Sequence, residues 1–486
     1  MSDYIKGSDR DQVSFGYSSL DQMVDENNKV RAIDAIVDML EVTKHEFEYS
    51  TPAATGRPAH DPVKMFKLYV YCYFEKIRSS RNIEKECRRN IEVMWLMEQI
   101  VPDHKCIADF RKNNKKAIKT AFGEFMGICD ELGLLGKSMV AIDGSKFRAN
   151  NARKKNITVG KANKKLEHFQ KKLDEYINEL DENDEKIVTT KNKIEELEDM
   201  ISSMQEQGIK EKSMTDPDSR LMITASMGHE VSYNIQTSVD SKHDLIVATD
   251  VITTPADQGQ LYGMAKQTVE AFETTEEKPL TVLADKGYFE GEDIQSCEDD
   301  PLINAIVARP DEKGNEGYQK SKFIYDKEND QYTCPQGQTL FRSGQKKKHY
   351  KNFRACRGCQ FRDQCTSNKR GRIIERTKYE EVIEASVKRF SDNKELYKRR
   401  QMMVEHPFGT IKRTLGFTYF LTRGLENVKT ENYLHMLTYN LKRVLNIYSP
   451  PDLLREIRMI QEQRRGKDIV EAAVFWAFRC FSEKHG

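Results

Sequence analysis

Two short apolar runs, far apart in the chain, each end on an aspartate. Residues 139–142 are followed by Asp143 and a glycine, and residues 280–284 are followed by Asp285, a lysine and a glycine. A short apolar run bounded by a turn signal is typical of a buried strand. If both strands lie side by side in one sheet, the two aspartates sit together at its end. Close carboxylates repel each other, so the arrangement predicts a divalent cation between them.

A third acid is offered by a helical stretch near the C-terminus. Residues 397–417 are strongly basic, and Glu405 is the one acid among them. Lys412 lies two turns further along such a helix, on roughly the same face. Asp143 taken alone also fits a simple turn, because Asp-Gly is a common turn pair. With the other two acids in register, we favour a site for Mg²⁺ (or Mn²⁺), since carboxylates suit this ion and no histidine-rich cluster competes.

Strand and helix patterns alternate around these runs. Residues 229–254 read as two strands with period-two alternation, joined by a turn at residues 240–244. A helix pattern follows from Asp257 to about Phe272, and residues 280–284 supply a further strand. Strands from distant segments thus converge on one layer, which predicts an α/β fold.

The first part of the chain has a different pattern. Residues 1–135 carry apolar side chains at helical spacing, and Asp61-Pro62 is a signal for the start of a helix. Several arginines lie on or near the expected turns, among them Arg78 and Arg81. The pattern suits a compact DNA-binding bundle and equally an ordinary helical domain. We take Arg78 and Arg81 as candidate DNA contacts.

A heptad pattern runs through residues 166–204. Its a positions are Leu166, Leu173, Leu180, Ile187, Ile194 and Ile201, and its d positions are Phe169, Tyr176, Asn183, Thr190, Leu197 and Met204. Such spacing, with charges between, is typical of a coiled coil. One straight helix of this kind would reach about 65 Å, and the roughly 16 residues after it could span about 50 Å at most. We therefore expect an antiparallel helical hairpin that turns at residues 181–186.

A strongly basic segment is hidden by the balanced total charge of +1. Residues 342–372 carry eleven Lys or Arg and one acid, Asp363. This distribution is expected for a polyanion partner, with Lys346, Lys347 and Lys348 as candidate DNA contacts. A solvated basic loop is the alternative.

Four cysteines fall within the same part of the chain. Cys356 and Cys359 have the spacing of zinc ligands, and Cys334 and Cys365 could complete a tetrahedral site. Reduced cysteines in a metal-free loop are the alternative. A catalytic zinc is not expected, because four thiolates leave no open position.

Composition limits the remaining possibilities. The chain has 486 residues, enough for several domains, and its 38% hydrophobic content is compatible with a folded protein. Its ten cysteines are too sparse for a disulfide scaffold. The N-terminus is acidic and polar, and no apolar run of 18 residues occurs. We therefore expect a cytoplasmic protein that neither is exported nor spans a membrane.

Several ordered motifs resemble the catalytic segments of DDE transposases from bacterial insertion sequences. They read AIDGSKFRANN, TDPDSRLM, VLADKGYF and VEHPFGTIKRTLGFTYFLTRGLENVKTE, and the helical N-terminal part is similar as well. The likeness is strongest to the group with a coiled-coil insertion after the first aspartate, and it covers roughly residues 50–448. It implies an RNase H-like core, activity on transposon terminal inverted repeats and target DNA, and assembly into a homodimer or higher oligomer.

The resemblance also implies roles for individual residues. Asp143, Asp285 and Glu405 match the three metal-binding acids of the family. Tyr397, Arg400 and Lys412 resemble the tyrosine, arginine and lysine that flank the glutamate, and Arg413 is a candidate DNA contact. The spacing from the arginine to the glutamate is one residue longer than in the commonest form of the motif.

These predictions combine into one organisation. The expected parts are a helical DNA-binding domain at 1–135, core segments at 136–155, 216–320 and 376–448, a coiled-coil insertion at 156–215, a Cys-rich basic insertion at 321–375, and a helical tail at 449–486. The expected activity is metal-dependent DNA cleavage at transposon ends, followed by strand transfer. The alternatives are an RNase H-like nuclease without strand transfer and a catalytically idle DNA-binding protein.

Overall fold

A computed structural model shows how the chain is organised. It describes residues 19–42, 46–51, 58–151, 156–179, 184–206, 208, 211–224, 228–312, 314–344 and 348–482. The chain divides into two compact units. Unit 1 consists of residues 1–134, 411–422 and 426–486, and unit 2 of residues 135–410 and 423–425. Residues 411–422 and 426–448 thus group with the N-terminal residues, whereas the sequence prediction counted them with the core.

The N-terminal part of unit 1 is helical, as predicted. Its helices are α1 (Lys29–Asp38), α2 (Pro62–Phe74), α3 (Ser80–Glu86), α4 (Ile91–Leu96), α5 (His104–Asn113) and α6 (Lys115–Glu131). The predicted helix start at Asp61-Pro62 is confirmed, because the Asp61 carboxylate accepts a hydrogen bond from Val63 N at 2.8 Å. This side-chain cap satisfies one of the backbone donors that a first helical turn leaves free.

Two long helices complete unit 1. Helix α16 (Leu425–Ile447) belongs to the unit from Glu426 onward, and α17 is Pro450–Ser482. Helix α17 packs against α1, and Arg464 forms an ion pair of 2.8 Å with Glu131. Apolar burial against several helices is the main stabilising term for such a bundle, since isolated helical turns are marginal in water.

A mixed sheet forms the centre of unit 2. Its strands are β1 (Met139–Arg148), β4 (Arg220–Thr224), β5 (Gly228–Asp240), β6 (Ile246–Ile252), β7 (Leu280–Ala284) and β8 (Ile303–Val307). The order is β4-β5-β1-β7-β8, and β6 also pairs with β5. The two predicted strands of residues 229–254 and the predicted strand 280–284 are confirmed as β5, β6 and β7. Strands β1, β7 and β8 run parallel, and β5 is antiparallel to β1.

Helices cover this sheet. They are α9 (Leu261–Phe272), α10 (Gly291–Asp299), α13 (Glu380–Asp392), α14 (Lys394–Tyr397) and α15 (Arg399–Gly409). Met403 and Val404 of α15 pack on Met139 and Ala141 of β1 in a shared apolar cluster. This packing holds α15 beside the strand that carries Asp143. Helix α9 begins at Leu261, four residues after the predicted start.

The first insertion of unit 2 contains β2 (Asn156–Thr158), α7 (Val159–Glu179), α8 (Glu185–Glu206) and β3 (Glu211–Ser213). Helices α7 and α8 pack against each other, and β2 pairs antiparallel with β3 at their base. Leu197 and Ile201 contribute to the apolar cluster between them. Of the predicted turn at residues 181–186, residues 181–183 lie outside the described part of the chain, as does Leu180. The coiled coil itself stays a prediction.

The second insertion is a small antiparallel sheet. It consists of β9 (Ile324–Asp326), β10 (Gln331–Thr333), β11 (Thr339–Ser343), β12 (Lys348–Lys351) and β13 (Ile373–Arg376), in the order β13-β12-β11-β10-β9. The short helices α11 (Phe353–Arg357) and α12 (Arg362–Cys365) lie between β12 and β13. Phe323, Tyr332, Leu340, Tyr350 and Ile374 form its apolar core. No helix in the described residues is long and apolar enough to cross a membrane.

Candidate active site

The two predicted aspartates lie side by side in unit 2. The parallel pairing of β1 with β7 ends at Ile142 opposite Ala284, so Asp143 and Asp285 are the next residues on the two strands. Strand β1 does not end there, however. It continues to Arg148 through antiparallel pairing with β5, in which Asp143 lies opposite Thr237. The expectation that the first strand ends at Asp143 is therefore wrong, because a longer partner on the other side extends it.

Asp285 occupies the turn after β7. Its Oδ1 accepts a hydrogen bond of 2.7 Å from the backbone N–H of Gly287, which starts the short 3₁₀ turn Lys286–Tyr288. A side-chain acceptor two residues before the donor is the usual way for aspartate to start a turn. The contact leaves Oδ2 directed toward a neighbouring cation, Arg400.

Arg400 on α15 connects the two aspartates. Its Nη2 lies 2.8 Å from Oδ1 of Asp143 and 3.9 Å from Oδ2 of Asp285. The guanidinium side chain is 12% exposed. One positive charge is thus shared between two carboxylates that would otherwise repel each other.

The carboxyl of Asp143 has a strongly shifted pKa. Burial raises the pKa of its carboxyl to about 6; the guanidinium of Arg400 opposes the rise, and the charges of Asp285 and Asp257 add to it. Strongly shifted carboxyls of this kind concentrate at functional sites. The direction shows that Arg400 does not offset the cost of burying the Asp143 charge.

A further carboxylate, Asp257, was missed by the sequence reasoning. It lies just before α9, and its Oδ1 accepts hydrogen bonds from Asn234 Nδ2 at 2.7 Å and from Gln236 Nε2 at 2.8 Å. Lys146 Nζ is 3.5 Å from the same oxygen. The available signal was the pair of amide side chains, Asn234 and Gln236, at alternate positions of the predicted strand β5. Buried amides of this kind need partners, and their partner is Asp257.

Glu405 has a different environment from the two aspartates. Its side chain is exposed on α15, and its Oε1 accepts a hydrogen bond from Gln401 Nε2 at 2.8 Å. The face of α15 that packs on the sheet carries Met403 and Val404 instead. Within the described residues, no group of three or more acids, histidines or cysteines is close enough to hold a metal. The role of Glu405 as third ligand stays a prediction.

The flanking residues of the predicted motif fall into two groups. Tyr397 ends α14, packs edge-on against Phe390 at 4.9 Å between ring centroids, and lies near Arg400. Burial raises the pKa of its phenol, and Arg400 opposes the rise. Lys412 and Arg413 lie in the π-helical segment Thr410–Thr414 and belong to unit 1. Their predicted roles stay predictions.

The predicted DNA contacts differ in how accessible they are. Arg78 is 9% exposed; its Nη1 donates to the carbonyl oxygen of Tyr419 at 2.8 Å, and its guanidinium lies over the rings of Phe417 and Tyr419. These contacts occupy Arg78 inside unit 1, and its predicted DNA contact stays a prediction. Arg81 and Lys348 are exposed, whereas Lys346 and Lys347 lie outside the described residues.

The four predicted cysteines are brought together. Cys334, Cys356, Cys359 and Cys365 line one small cavity beside the core of the second insertion, and none of them forms a disulfide. Burial raises the pKa of Cys365; Arg372 opposes the rise, and the other three thiols of the group add to it. The predicted grouping of these side chains is therefore present, although no metal-binding geometry is found among the described residues.

Two protein-family models match parts of the chain. Residues 18–113 match a transposase domain (DUF772), and residues 333–445 match a transposase DDE domain. The second match contains Glu405 and the cysteine cluster. No curated protein matches the chain.

Comparison with solved structures finds a weaker likeness. A piggyBac transposase, determined by cryo-EM in a synaptic complex with hairpin DNA, is matched at a TM-score of 0.31 and 7% identity, over 88% of this chain and 77% of that one. This similarity is too low to show a shared fold. The two transposase domain models, which match separate parts of the chain, support a DDE transposase of an insertion sequence.

Proposed function

We propose that this transposase cuts DNA at the ends of its mobile element and joins the freed 3′-hydroxyls to target DNA, with Mg²⁺ or Mn²⁺ bound at Asp143 and Asp285. The main support is the register of β1 and β7, which pair in parallel up to Ile142 and Ala284 and so leave the two aspartates adjacent. Carboxylates are the protein ligands that Mg²⁺ prefers. The proposal also assigns the central sheet to an RNase H-like core.

The residues of the site fit a divalent cation. Asp143 and Asp285 share one guanidinium, so two carboxylates have a single counter-charge between them. When bound, two such ions lower the pKa of water or a 3′-hydroxyl and stabilise the leaving oxygen of a phosphodiester. The chain's own part is to hold the two carboxylates in register and to keep Arg400 as a counter-charge beside them. Glu405 is the proposed third acid.

The remaining proposals concern DNA and assembly. Exposed bases such as Arg81 on unit 1 and Lys348 on the second insertion are proposed to contact end DNA, mainly through phosphates. Two element ends must be joined in one reaction, so we propose that the chain acts as a homodimer or a larger oligomer. We also propose that Cys334, Cys356, Cys359 and Cys365 bind one structural zinc, supported by the cavity that they share.

The decisive experiment uses purified protein, a DNA fragment that carries one element end, and a target plasmid. Wild-type protein with Mg²⁺ should cut the end and join it to the plasmid, while Ca²⁺ should support binding only. Cutting without any joined product, even with pre-cut ends, would instead indicate a nuclease. Binding without cutting in Mg²⁺ or Mn²⁺ would contradict the proposed activity.

A further inference from the structure

Asp257 packs between the two segments that follow the catalytic aspartates. A Cβ atom added to Gly144 would lie 2.4 Å from Asp257 Oδ1, and a Cβ added to Gly287 would lie 3.5 Å from Asp257 Oδ2. Gly144 directly follows Asp143, and Gly287 is two residues after Asp285. The Asp257 carboxylate thus occupies the space that a side chain at Gly144 would fill, and it lies near the corresponding space at Gly287. The glycine after Asp143 is required there, because a side chain would displace Asp257.

A network of buried amides fixes the position of Asp257. Asn234 and Gln236, both fully buried on β5, each donate a side-chain N–H to its Oδ1. Gln236 in turn accepts a hydrogen bond from the hydroxyl of Tyr288, in the turn after Asp285. Burial raises the pKa of Tyr288, so its phenol stays protonated and acts as the donor. The network therefore runs from β5 through Asp257 to the turn that holds Asp285.

Asp257 has its own source of positive charge. Lys146 Nζ lies 3.5 Å from the oxygen that also accepts the two amides. Asp143 and Asp285, in contrast, share Arg400. One oxygen of Asp257 already accepts hydrogen bonds from two amides and lies near a lysine. Its negative charge is therefore better compensated without a metal ion than the charges of the aspartate pair are. Asp257 is therefore better suited to hold Asp143 and Asp285 in place than to act as a third metal ligand.

We propose that Asp257 is a positioning residue that sets the distance between Asp143 and Asp285 and thereby the affinity of the site for a divalent cation. The inference rests on the proposed function, which assigns the cation to those two aspartates. Residues that orient metal ligands commonly change metal affinity by about 10- to 100-fold when they are removed.

The test compares variants of the full-length protein by Mn²⁺ binding without DNA, measured from the electron paramagnetic resonance signal of free Mn²⁺. Asp257→Ala should weaken Mn²⁺ binding by about tenfold or more. Asp257→Asn keeps an oxygen that can accept from Asn234 and Gln236, so its affinity should stay near that of the wild type. The Mg²⁺ concentration needed for half-maximal end cleavage should likewise be higher for Asp257→Ala than for the wild type, and close to the wild-type value for Asp257→Asn.

Asp293→Ala is the matched control. Asp293, on α10, is a buried carboxylate that accepts hydrogen bonds from Leu261 N at 2.7 Å and Tyr262 N at 3.0 Å, at the start of α9. Its removal should lower the unfolding temperature and leave Mn²⁺ affinity unchanged. If Asp257→Ala does not fold, Gly144→Ala is the second variant, because its new Cβ displaces the Asp257 carboxylate and the Gln236 amide bound to it without deleting either.

Three outcomes would overturn the inference. Unchanged Mn²⁺ affinity in Asp257→Ala, or in Gly144→Ala where the first variant does not fold, would remove the link to the aspartate pair. Equal losses in Asp257→Asn and Asp257→Ala would indicate a direct ligand, and equal losses in Asp257→Ala and Asp293→Ala would indicate a general loss of structure. A separate comparison tests the proposed metal site itself. If wild-type and Asp143→Ala proteins bind Mn²⁺ equally well, the cation is not bound at the aspartate pair, and both the proposed function and this inference fail.

Discussion

The aspartate pair and the cysteine cluster are two candidate metal sites built in opposite ways. Asp143 and Asp285 come from strands far apart in the chain and meet through sheet pairing. The four cysteines lie within residues 334–365 and meet through the turns of one small insertion. Around the aspartates the structure supplies Arg400 at 2.8 Å from Asp143. The cysteines lie beside an apolar core that includes Phe323 and Leu340.

The difference indicates what a metal would do in each place. Half-open carboxylates with a shared counter-charge suit an ion that exchanges ligands with water and DNA. Four thiols around one small cavity suit an ion that holds a small sheet together. Removing the metal at the aspartate pair should therefore abolish DNA cleavage and leave the fold intact. Removing the metal at the cysteine cluster should instead destabilise the second insertion.

The largest expected effect is on catalysis. Asp143→Ala or Asp285→Ala should reduce end cleavage by about a hundredfold to a thousandfold, because each removes one of two adjacent carboxylates, while binding to end DNA stays near the wild-type level. Glu405→Ala should behave alike if Glu405 is the third acid. Cleavage rates with an end fragment, alongside a binding assay, measure both quantities. A Glu405→Ala protein that cuts at a near wild-type rate would refute that assignment.

The second prediction concerns the cysteines. Protein purified without chelator should contain about one zinc per chain, and the Cys356→Ser, Cys359→Ser double variant should lose it and unfold at a lower temperature. Cys106→Ser is the control, because Cys106 lies on α5, outside the cluster, and should leave the zinc content unchanged. Metal analysis that finds no zinc in the wild type would favour reduced thiols in a metal-free insertion.

The third prediction separates charge from sequence recognition. Neutralising Lys346, Lys347 and Lys348 together should weaken binding to end DNA and random DNA by similar factors, and it should make the salt dependence shallower by roughly three phosphate contacts. Arg81→Ala, on a helix of unit 1, should instead reduce the preference for end DNA. Competition binding at two salt concentrations tests both. Loss of preference in the lysine variant alone would move recognition to the second insertion.

The smallest expected effect concerns Arg400. Arg400→Ala should destabilise the metal-free protein by about 1 kcal/mol, since two partly exposed carboxylates lose their shared partner, and saturating Mn²⁺ should recover the loss. Arg389→Ala is the control: Arg389 pairs with Glu298 and donates to the Ala305 carbonyl oxygen at 3.0 Å, on the same unit. Mn²⁺ should not restore its stability. Thermal unfolding with and without Mn²⁺ distinguishes the two variants.

Local patterns were enough to predict much of this protein. Apolar alternation and turn residues predicted β5, β6 and β7, and the Asp61-Pro62 signal predicted the start of α2. The adjacency of Asp143 and Asp285 followed from two matching runs, because parallel strands bring equivalent ends to the same edge. These features follow from apolar side chains that recur every two residues in strands or about every 3.6 residues in helices, and such periods can be read directly from the sequence.

Other features depended on which segments become neighbours. Strand β1 continues past Asp143 because β5 is long enough to pair with it, and Arg78 is buried because Tyr419 and Glu431 lie beside it in unit 1. The role of Asp257 likewise needs three separate segments to meet: β1, β5 and the turn after β7.

The sequence by itself thus determined the α/β class, the helical N-terminal part and the two strands that bring Asp143 and Asp285 together, since each follows from the side-chain pattern along one segment. Only the tertiary structure decided that Arg400 lies between those two aspartates, that Asn234 and Gln236 bind Asp257, and that Glu405 lies exposed on α15. The physical reason is that charge compensation and burial arise between segments distant in the chain. No local spacing records which of them pack together.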